Sequence, residues 1–337
     1  MLKTPVNLMY MFMLIISTLI CISANSWLGA WIGLEMNLLS FIPLMNNNFN
    51  SLSNESSLKY FLIQALASIL LLFFICINFI NLNHFSIFYF SENYLMLINS
   101  SLLLKMGAAP FHFWFPSIMD NMTWINNLIL MTWQKINPFI CLSYCLNIKF
   151  ITSIVMINII LGSLGGLNSS SLRKILAFSS ISHMGWMLMS LIFCESNFLL
   201  YFIFYVLMSF SLTYSFNLLK MSNINQILIN SLSYLSKMMI FINLLSMGGL
   251  PPFLGFLPKW IIIESMINTN MYLLMLIMIM MTLITLFFYL RLAFSSIIIN
   301  NFQMYWIIKD NFNFQIIMFF ICISMMFFPL IFFLFMT

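Results

Sequence analysis

The sequence has very little charge. Of its 337 residues only 6% are Asp, Glu, Lys or Arg, whereas 63% are hydrophobic, and the mean hydropathy is +1.06. A soluble domain has about a quarter of its residues charged, because its surface must be covered with groups that water solvates. The 12 basic and 7 acidic residues cannot cover a globule of 39.5 kDa. The sequence therefore excludes a soluble enzyme and predicts a protein whose outer surface faces lipid.

Motifs that bind nucleotides, metals or nucleic acids are also missing. There is no phosphate-binding loop, no GxGxxG after a strand and no HExxH. The six cysteines form no CxxC pair, and Cys141 and Cys145, one helical turn apart, are interpreted as packing residues. The Gly162-Ser-Leu-Gly-Gly segment lies in an apolar run and predicts close helix packing. No basic run marks a nucleic-acid site. We therefore expect no cofactor and no metal on this chain, and no nucleic acid as a partner.

Long apolar runs take up most of the chain. Each has roughly 20 residues, enough to cross a hydrocarbon core about 30 Å thick, and lacks the strict alternation of barrel strands. The predicted fold class is an all-α polytopic membrane protein with about eleven transmembrane helices. The predicted spans are 6–24, 26–45, 57–80, 94–119, 124–145, 149–168, 172–193, 197–218, 237–267, 271–296 and 314–336.

Basic residues in the connections predict the orientation of the chain. With eleven spans, the side of the N-terminus collects Lys3, Lys59, Arg173, Lys174, Lys220, Lys237 and Lys309. The opposite side collects only Lys149. The 31 Met and 38 Phe are typical of a protein encoded in an AT-rich organelle genome. We therefore predict that the N-terminus faces the matrix and the C-terminus the intermembrane space.

Four ionisable residues lie inside predicted spans, where a charge is strongly unfavourable. Glu35 lies in the second span, Lys105 in the fourth, Lys135 in the fifth and Lys259 in the ninth. A charged side chain at the end of a span commonly reaches back to the interface and has no other role. This explanation suits the residues that border polar loops: Lys59, Lys149, Lys220, Lys237 and Glu264. It does not suit Glu35 or Lys105, which have long apolar flanks, and it is intermediate for Lys135 and Lys259, whose neighbours are partly polar.

Two of these lysines adjoin helix breaks. Pro110 follows Lys105 in Lys105-Met-Gly-Ala-Ala-Pro, and three prolines precede Lys259 in Gly248-Gly-Leu-Pro-Pro-Phe-Leu-Gly-Phe-Leu-Pro-Lys. Proline removes a helix hydrogen bond, so Pro110 is predicted to free the carbonyl of the fourth residue before it. Freed carbonyls inside a bilayer are tolerated only where they line protein or a wet cavity. An ordinary kink explains one break, but not two that each adjoin a lysine.

The two broken spans occupy equivalent places, because each is the fourth of five spans in its half. Such a pair of interrupted spans is typical of inverted-repeat transporters. Five is odd, so the two halves must have opposite orientations in the membrane. We predict inverted five-helix repeats at 1–145 and 146–300, followed by a C-terminal transmembrane helix at 301–337. In this register Glu35 corresponds to the seventh span, which carries His183.

These residue types permit proton transfer. Lysine, unlike arginine, can lose its proton when it is desolvated, and a nearby carboxylate restores the charged form. The candidate catalytic residues for proton transfer are Glu35, Lys105, Lys135, Lys259 and His183. A purely structural role for His183 remains an equal alternative. His112 is expected near the polar end of its span, where a relay role is the weaker alternative.

Several motifs in this sequence carry a family resemblance. They include Ser26-Trp-Leu-Gly-Ala-Trp-Ile-Gly-Leu-Glu-Met-Asn, Leu104-Lys-Met-Gly-Ala-Ala-Pro-Phe-His-Phe-Trp, Leu172-Arg-Lys-Ile-Leu-Ala-Phe-Ser-Ser-Ile-Ser-His-Met-Gly and Gly248-Gly-Leu-Pro-Pro-Phe-Leu-Gly. With these motifs the sequence resembles the NADH–ubiquinone oxidoreductase chain 2 family in its arthropod form. The members of this family are antiporter-like membrane-arm subunits of mitochondrial respiratory complex I. The resemblance covers nearly the whole chain.

The resemblance implies a proton-pumping subunit in the mitochondrial inner membrane, driven by quinone reduction in other subunits. It implies a hydrophilic axis through Glu35, Lys105, Lys135 and Lys259. FMN, iron–sulfur clusters and ubiquinone would be held by partner subunits. The implied partners are the neighbouring antiporter-like subunit, the small membrane-arm subunits, the lateral helix of the distal subunit and membrane lipids. Two alternatives stay open, namely a stand-alone secondary cation/proton antiporter and a scaffold whose charges are assembly contacts.

Overall fold

The structure, a computed structural model, describes residues 5–46, 50–82, 92–229 and 234–298. Apart from an isolated bridge between Ser171 and Asn223, the regular structure of these residues is helical, which confirms the predicted all-α class. The first seven helices are α1 (Pro5–Ile22), α2 (Trp27–Met45), α3 (Ser51–Leu82), α4 (Glu92–Met106), α5 (Trp114–Asn121), α6 (Trp124–Met131) and α7 (Trp133–Ser143). They are followed by α8 (Ile148–Leu167), α9 (Leu172–Phe193), α10 (Glu195–Leu218), α11 (Ile224–Ile229), α12 (Tyr234–Gly248), α13 (Phe256–Asn268) and α14 (Tyr272–Ile298).

Seven helices in the described part of the chain are long and apolar enough to cross a membrane: α1, α2, α3, α8, α9, α10 and α14. The fourth, fifth and ninth predicted spans are each divided into two shorter helices, α4 with α5, α6 with α7, and α12 with α13. The eleventh predicted span, 314–336, lies outside the described residues. The total of eleven spans therefore stays a prediction.

The division of the fifth span was not predicted. Helices α6 and α7 meet at Thr132, whose backbone angles are φ −112° and ψ −72°. The Thr132 hydroxyl donates a hydrogen bond to the carbonyl of Leu128 at 2.7 Å. The Thr132 amide donates to the same carbonyl at 3.0 Å, so the turn that precedes the break is intact. Neither glycine nor proline marks this site in the sequence, so the pattern predicted one continuous helix.

The exposed surface of the long helices is apolar. On α1 the side chains of Met9, Phe12 and Leu19 are 63%, 64% and 59% exposed, and on α14 Leu273 is 71% exposed. Continuous apolar faces of this kind are stable only against lipid or another protein. The arrangement agrees with a chain that is surrounded by the hydrocarbon of a membrane.

The chain divides into two compact units, Met1–Asn158 and Ile159–Thr337. In the first unit α1 packs along α2, α3 packs against α2, α4 and α5, and α7 contacts α1, α2 and α4. In the second unit α10 packs against α9, α12 and α13, and α14 packs against α12 and α13. The repeat boundary predicted at 145/146 is not tested by this division and stays a prediction.

Close packing of α8 on α9 is confirmed. A Cβ atom at Gly162 would lie 2.6 Å from the backbone nitrogen of Ser182, closer than a side chain permits. Glycine at this position therefore lets the two backbones approach each other. Helix α9 lies in the interior of the second unit, and nearly every residue from Leu172 to Leu191 is buried. The buried residues include the polar side chains of Ser179, Ser180, Ser182 and His183.

Candidate functional site

Lys105 lies on the last turn of a helix that ends at a glycine. Gly107, just beyond the end of α4, takes a left-handed conformation with φ 72°. Its amide donates to the carbonyl of Leu104 at 3.2 Å, and the amide of Ala108 donates to the carbonyl of Leu103 at 3.0 Å. This pair of hydrogen bonds is the Schellman pattern of a glycine-terminated helix. The predicted break in the fourth span is therefore present.

The cause predicted for this break is wrong. We expected Pro110 to interrupt a continuing helix, but α4 has already ended at Met106 when the chain reaches the proline. Gly107 ends the helix, because a residue without Cβ adopts a positive φ at little cost. Pro110 lies in the irregular segment that leads to α5.

Two amide side chains satisfy backbone groups of this irregular segment. The Nε2 of Gln64 on α3 donates to the carbonyl of Lys105 at 3.0 Å. The amide of Ala109 donates to the Oδ1 of Asn158 on α8 at 2.6 Å. Gln64 is 5% exposed and Asn158 is fully buried. Backbone groups without partners are strongly unfavourable inside a bilayer, so these two side chains stabilise the break beside Lys105.

The Lys105 side chain is buried among groups that interact with its charge. Its exposure is 7%. The half-buried carboxylate of Glu35 on α2 and the thiols of Cys21 and Cys141 all interact electrostatically with it. The two Sγ atoms lie 3.5 Å apart and pack α1 against α7. Glu35 and Lys105 are thus brought into one electrostatic neighbourhood in the first unit.

Lys135 is the most deeply buried of the candidate lysines. It lies on α7 with 1% exposure, and its Nζ is 5.1 Å from the ring centroid of Phe115 on α5. An aromatic face stabilises a desolvated cation without a countercharge. Two residues further along α7, Asn137 is fully buried and neither of its amide atoms has a hydrogen-bond partner among the described residues. Buried amides are nearly always hydrogen-bonded, which makes Asn137 able to bind water next to Lys135.

A row of hydrogen bonds joins the helices of Glu35 and Lys135. The Nε2 of Gln134 donates to the Oδ1 of Asn37 at 3.2 Å, and the hydroxyl of Tyr60 donates to the Oε1 of Gln134 at 3.2 Å. Asn37 lies two residues after Glu35, and Gln134 precedes Lys135. The row therefore fixes α2, α3 and α7 relative to one another and holds both charged residues in place.

His112 is a buried residue of the first helix break. It belongs to the irregular segment between α4 and α5, is 7% exposed, and has its Nδ1 3.3 Å from the carbonyl of Pro110. Its ring packs against that of Phe113. Its expected place near the polar end of the fourth span stays a prediction.

Lys259 lies on α13 and forms a hydrogen bond across the second helix break. Its Nζ donates to the carbonyl of Gly248, the last residue of α12, at 2.8 Å, and its exposure is 7%. Gly249 has φ 81°, and a Cβ at this position would lie 2.8 Å from the Lys259 Nζ. The positive φ favours glycine here, and the absence of a Cβ leaves room for the lysine side chain in its observed position. Both predicted breaks thus begin at a left-handed glycine beside a buried lysine.

His183 lies in the second unit on α9, which packs against α13. It is 3% exposed, and its Nδ1 lies 2.8 Å from the hydroxyl of Tyr201 on α10. The ring of Tyr205, one turn further along α10, has its centroid 5.4 Å from that of His183. The hydroxyls of Tyr205 and Tyr289 lie beside Ser180 and Ser179, respectively.

Lys59 is exposed and ion-paired, and its place at the membrane interface stays a prediction. Its ammonium is 2.6 Å from the carboxylate of Glu55, and the two side chains are 46% and 54% exposed. Glu264 on α13 is likewise exposed. These residues contrast with the three buried lysines, and the side chain of Lys237 lies outside the described residues.

Sequence reasoning missed the polar residues that surround the candidate charges. Gln64, Asn158 and Asn37 are amides within predicted spans, and a polar residue within a span is itself a signal of function or buried contact. Tyr201 gave no such signal, because tyrosine is common in apolar helices and is separated from His183 by 18 positions.

The chain matches known families along most of its length. The profile of the family described as NADH:quinone oxidoreductase/Mrp antiporter, TM, matches residues 24–285. The chain is 51% identical to NADH-ubiquinone oxidoreductase chain 2 of Anopheles gambiae, over 91% of this chain and 90% of that protein. It is 47% identical to the protein of the same name from Aedes aegypti, over 91% of this chain and 90% of that protein.

A solved structure shares the fold. A chain of respiratory complex I from Thermus thermophilus, solved with bound aureothin, superposes with a TM-score of 0.79 at 20% identity. The superposition covers 86% of this chain and 70% of that chain. The range matched by the family profile contains every candidate residue of both units.

Proposed function

Because the chain belongs to the NADH-ubiquinone oxidoreductase chain 2 family, we infer that it is a proton-translocating membrane subunit of respiratory complex I, the NADH:ubiquinone oxidoreductase. It takes part in an oxidoreductase as a membrane-spanning subunit. Quinone reduction on other subunits supplies the driving force, and this chain moves protons across the membrane.

Proton transfer takes place at the buried ionisable residues. In the first unit these are Glu35, Lys105 and Lys135, and in the second unit His183 and Lys259. The observation that carries this proposal is the burial of three lysines, two of which adjoin helix breaks. Lys105 is 7% exposed, Lys135 1% and Lys259 7%. A buried amine changes its protonation when a nearby charge moves, because desolvation has already weakened its charged form.

The first step is a charge rearrangement that reaches the Glu35 carboxylate. When this carboxylate approaches Lys105 it favours the ammonium form, and when it withdraws the lysine releases a proton. Lys135 stores the proton over the face of Phe115, and Lys259 exchanges it with one side of the membrane. The backbone carbonyl of Gly248 holds the Lys259 ammonium until that exchange.

The energies involved are of matching size. Moving one elementary charge against 100 mV requires about 2.3 kcal/mol. A change of one pKa unit corresponds to about 1.4 kcal/mol. A shift of just under two units in the pKa of a buried lysine therefore matches the free energy of moving one proton against 100 mV.

We also propose a membrane location, an orientation and partners for the chain. It lies in the mitochondrial inner membrane with eleven spans, the N-terminus on the matrix side and the C-terminus on the intermembrane-space side, and its two halves are inverted five-helix repeats. FMN, iron–sulfur clusters and ubiquinone are held by partner subunits. Its contacts are with the neighbouring antiporter-like subunit, the small membrane subunits, the lateral helix of the distal subunit and lipid. The parallel between the two glycine-terminated breaks supports the repeat.

Purification through a tag on this chain tests the proposal against a stand-alone antiporter. We expect the tagged chain to bring NADH:ubiquinone reductase activity with it, and liposomes containing the purified complex to take up protons only when NADH and quinone are supplied. The control is the same preparation treated with an uncoupler, which abolishes the gradient while electron transfer continues. Cation/proton exchange by the purified chain alone, without NADH, contradicts the proposal.

A further inference from the structure

His183 has a polar contact with a phenol that the mechanism above does not use. The Tyr201 hydroxyl lies 2.8 Å from Nδ1 of His183, and the two residues are 1% and 3% exposed. At this depth, away from bulk water, a hydrogen bond fixes the orientation of the ring and selects its tautomer.

The other tyrosine hydroxyls of this region have different neighbours. Tyr205 packs its ring near His183, but its hydroxyl lies beside Ser180. The hydroxyl of Tyr289 on α14 lies beside Ser179. Tyr201 is therefore the phenol whose hydroxyl is aimed at the imidazole, and Tyr205 provides a matched aromatic neighbour on the same helix.

We propose that Tyr201 is a positioning residue that holds His183 with Nδ1–H donating to the phenol oxygen, so that Nε2 is the nitrogen that accepts and returns the transferred proton. The inference rests on the proposed proton-transfer function. In this arrangement the Nδ1–H···O bond is present in both the neutral and the protonated imidazole. The proton enters and leaves at Nε2, Tyr201 stays a neutral phenol, and no other bond needs to form or break.

A hydrogen bond kept in both protonation states makes the transfer easier. If Nδ1 instead accepted the phenol proton, protonation of the ring at Nδ1 would require the Tyr201 hydroxyl to turn to another acceptor. When Nδ1–H donates to the Tyr201 oxygen in both protonation states, the hydroxyl does not have to turn. Preorganised groups in enzyme sites lower the cost of a reaction step in the same way. The phenol oxygen also stabilises the positive charge of the protonated ring.

Tyr201→Phe in the assembled complex removes this hydroxyl while keeping the aromatic ring. We expect normal assembly and a decrease of about threefold to tenfold in the rate of proton translocation, the size that loss of one positioning hydrogen bond produces. Tyr205→Phe, the matched control, should leave the rate near the wild-type value. Equal rates for Tyr201→Phe and wild type would overturn the inference.

A double-mutant cycle separates positioning from a general structural effect. If Tyr201 acts through His183, Tyr201→Phe has no further effect in a His183→Gln background. The same fold-decrease in both backgrounds shows that Tyr201 is merely structural and overturns the inference. If His183→Gln alone pumps normally while Lys105→Met does not, the inference fails and the proposed function stands.

His183→Asn keeps the proposal testable if Tyr201→Phe does not assemble. The asparagine amide reproduces the Nδ1–H donor to Tyr201 but has no equivalent of Nε2. We expect this variant to assemble like the wild type and to translocate protons at a rate at least as low as that of His183→Gln. Wild-type proton translocation by assembled His183→Asn would overturn the assignment of Nε2.

Discussion

Lys105→Met should abolish most coupled proton translocation without preventing assembly. Methionine fills a similar volume, and the backbone carbonyl of residue 105 keeps its hydrogen bond from Gln64, so the glycine-terminated break remains. What is lost is the proton-carrying amine. General acid–base groups contribute about 10²-fold or more to rate, so we expect coupled NADH:ubiquinone activity to fall by at least about tenfold. Proton uptake by inverted membrane vesicles, normalised to assembled complex, measures the effect.

Two further variants identify why the activity falls. Lys59→Met is the matched control, because Lys59 is an exposed lysine in an ion pair with Glu55 and should be dispensable. Lys105→Arg keeps the positive charge but cannot release a proton. We expect it to be as inactive as Lys105→Met, whereas near-normal pumping by the arginine variant would show that Lys105 contributes only a fixed charge. Glu35→Gln should lower pumping less, because it removes the partner and leaves the amine.

Lys259→Gln should have a comparable effect in the second unit. The glutamine amide can still donate a hydrogen bond towards the carbonyl of Gly248, so the second break keeps a donor, but the side chain has no transferable proton. We therefore expect an assembled complex whose proton-to-electron ratio is lowered and whose proton uptake falls by at least about tenfold. Lys259→Met is less informative, because it also leaves the carbonyl without its donor.

Glu264→Gln provides the control on the same helix. Glu264 is an exposed residue of α13, five positions from Lys259, and its replacement should leave both assembly and proton uptake unchanged. A normal proton-to-electron ratio in assembled Lys259→Gln would remove Lys259 from the pathway. Loss of assembly in both variants would instead show that α13 is sensitive to any substitution of a charged residue.

The membrane character and the buried lysines could be predicted because they depend on composition and local spacing. An amine flanked by long apolar runs cannot extend to the bulk water at the membrane surface, and this argument correctly predicts the burial of Lys105. The two breaks could be predicted because both sites are marked by glycine and proline, although it is a left-handed glycine that ends each helix. The predicted boundaries of the continuous spans follow from the same apolar pattern.

The remaining features depend on contacts between residues that are distant in the chain. Gln64 and Asn158 form hydrogen bonds with backbone groups of the first break, although both are distant from it in sequence. Tyr201 contacts His183 only because α9 and α10 pack together. The break at Thr132 is a change of backbone angles that neither a glycine, a proline nor the apolar periodicity marks at this site. The burial of His112 likewise depends on the irregular segment between α4 and α5, which the apolar pattern does not describe.

The central claim is that the buried amines exchange protons through water inside each unit. An experimental map of the assembled complex that resolves ordered water tests it most directly. This mechanism predicts water hydrogen-bonded to Lys105 Nζ and, next to Asn137, to Lys135 Nζ in the first unit, and to His183 Nε2 and Lys259 Nζ in the second. Dry apolar packing around these nitrogen atoms, in a complex that still pumps protons, would contradict it.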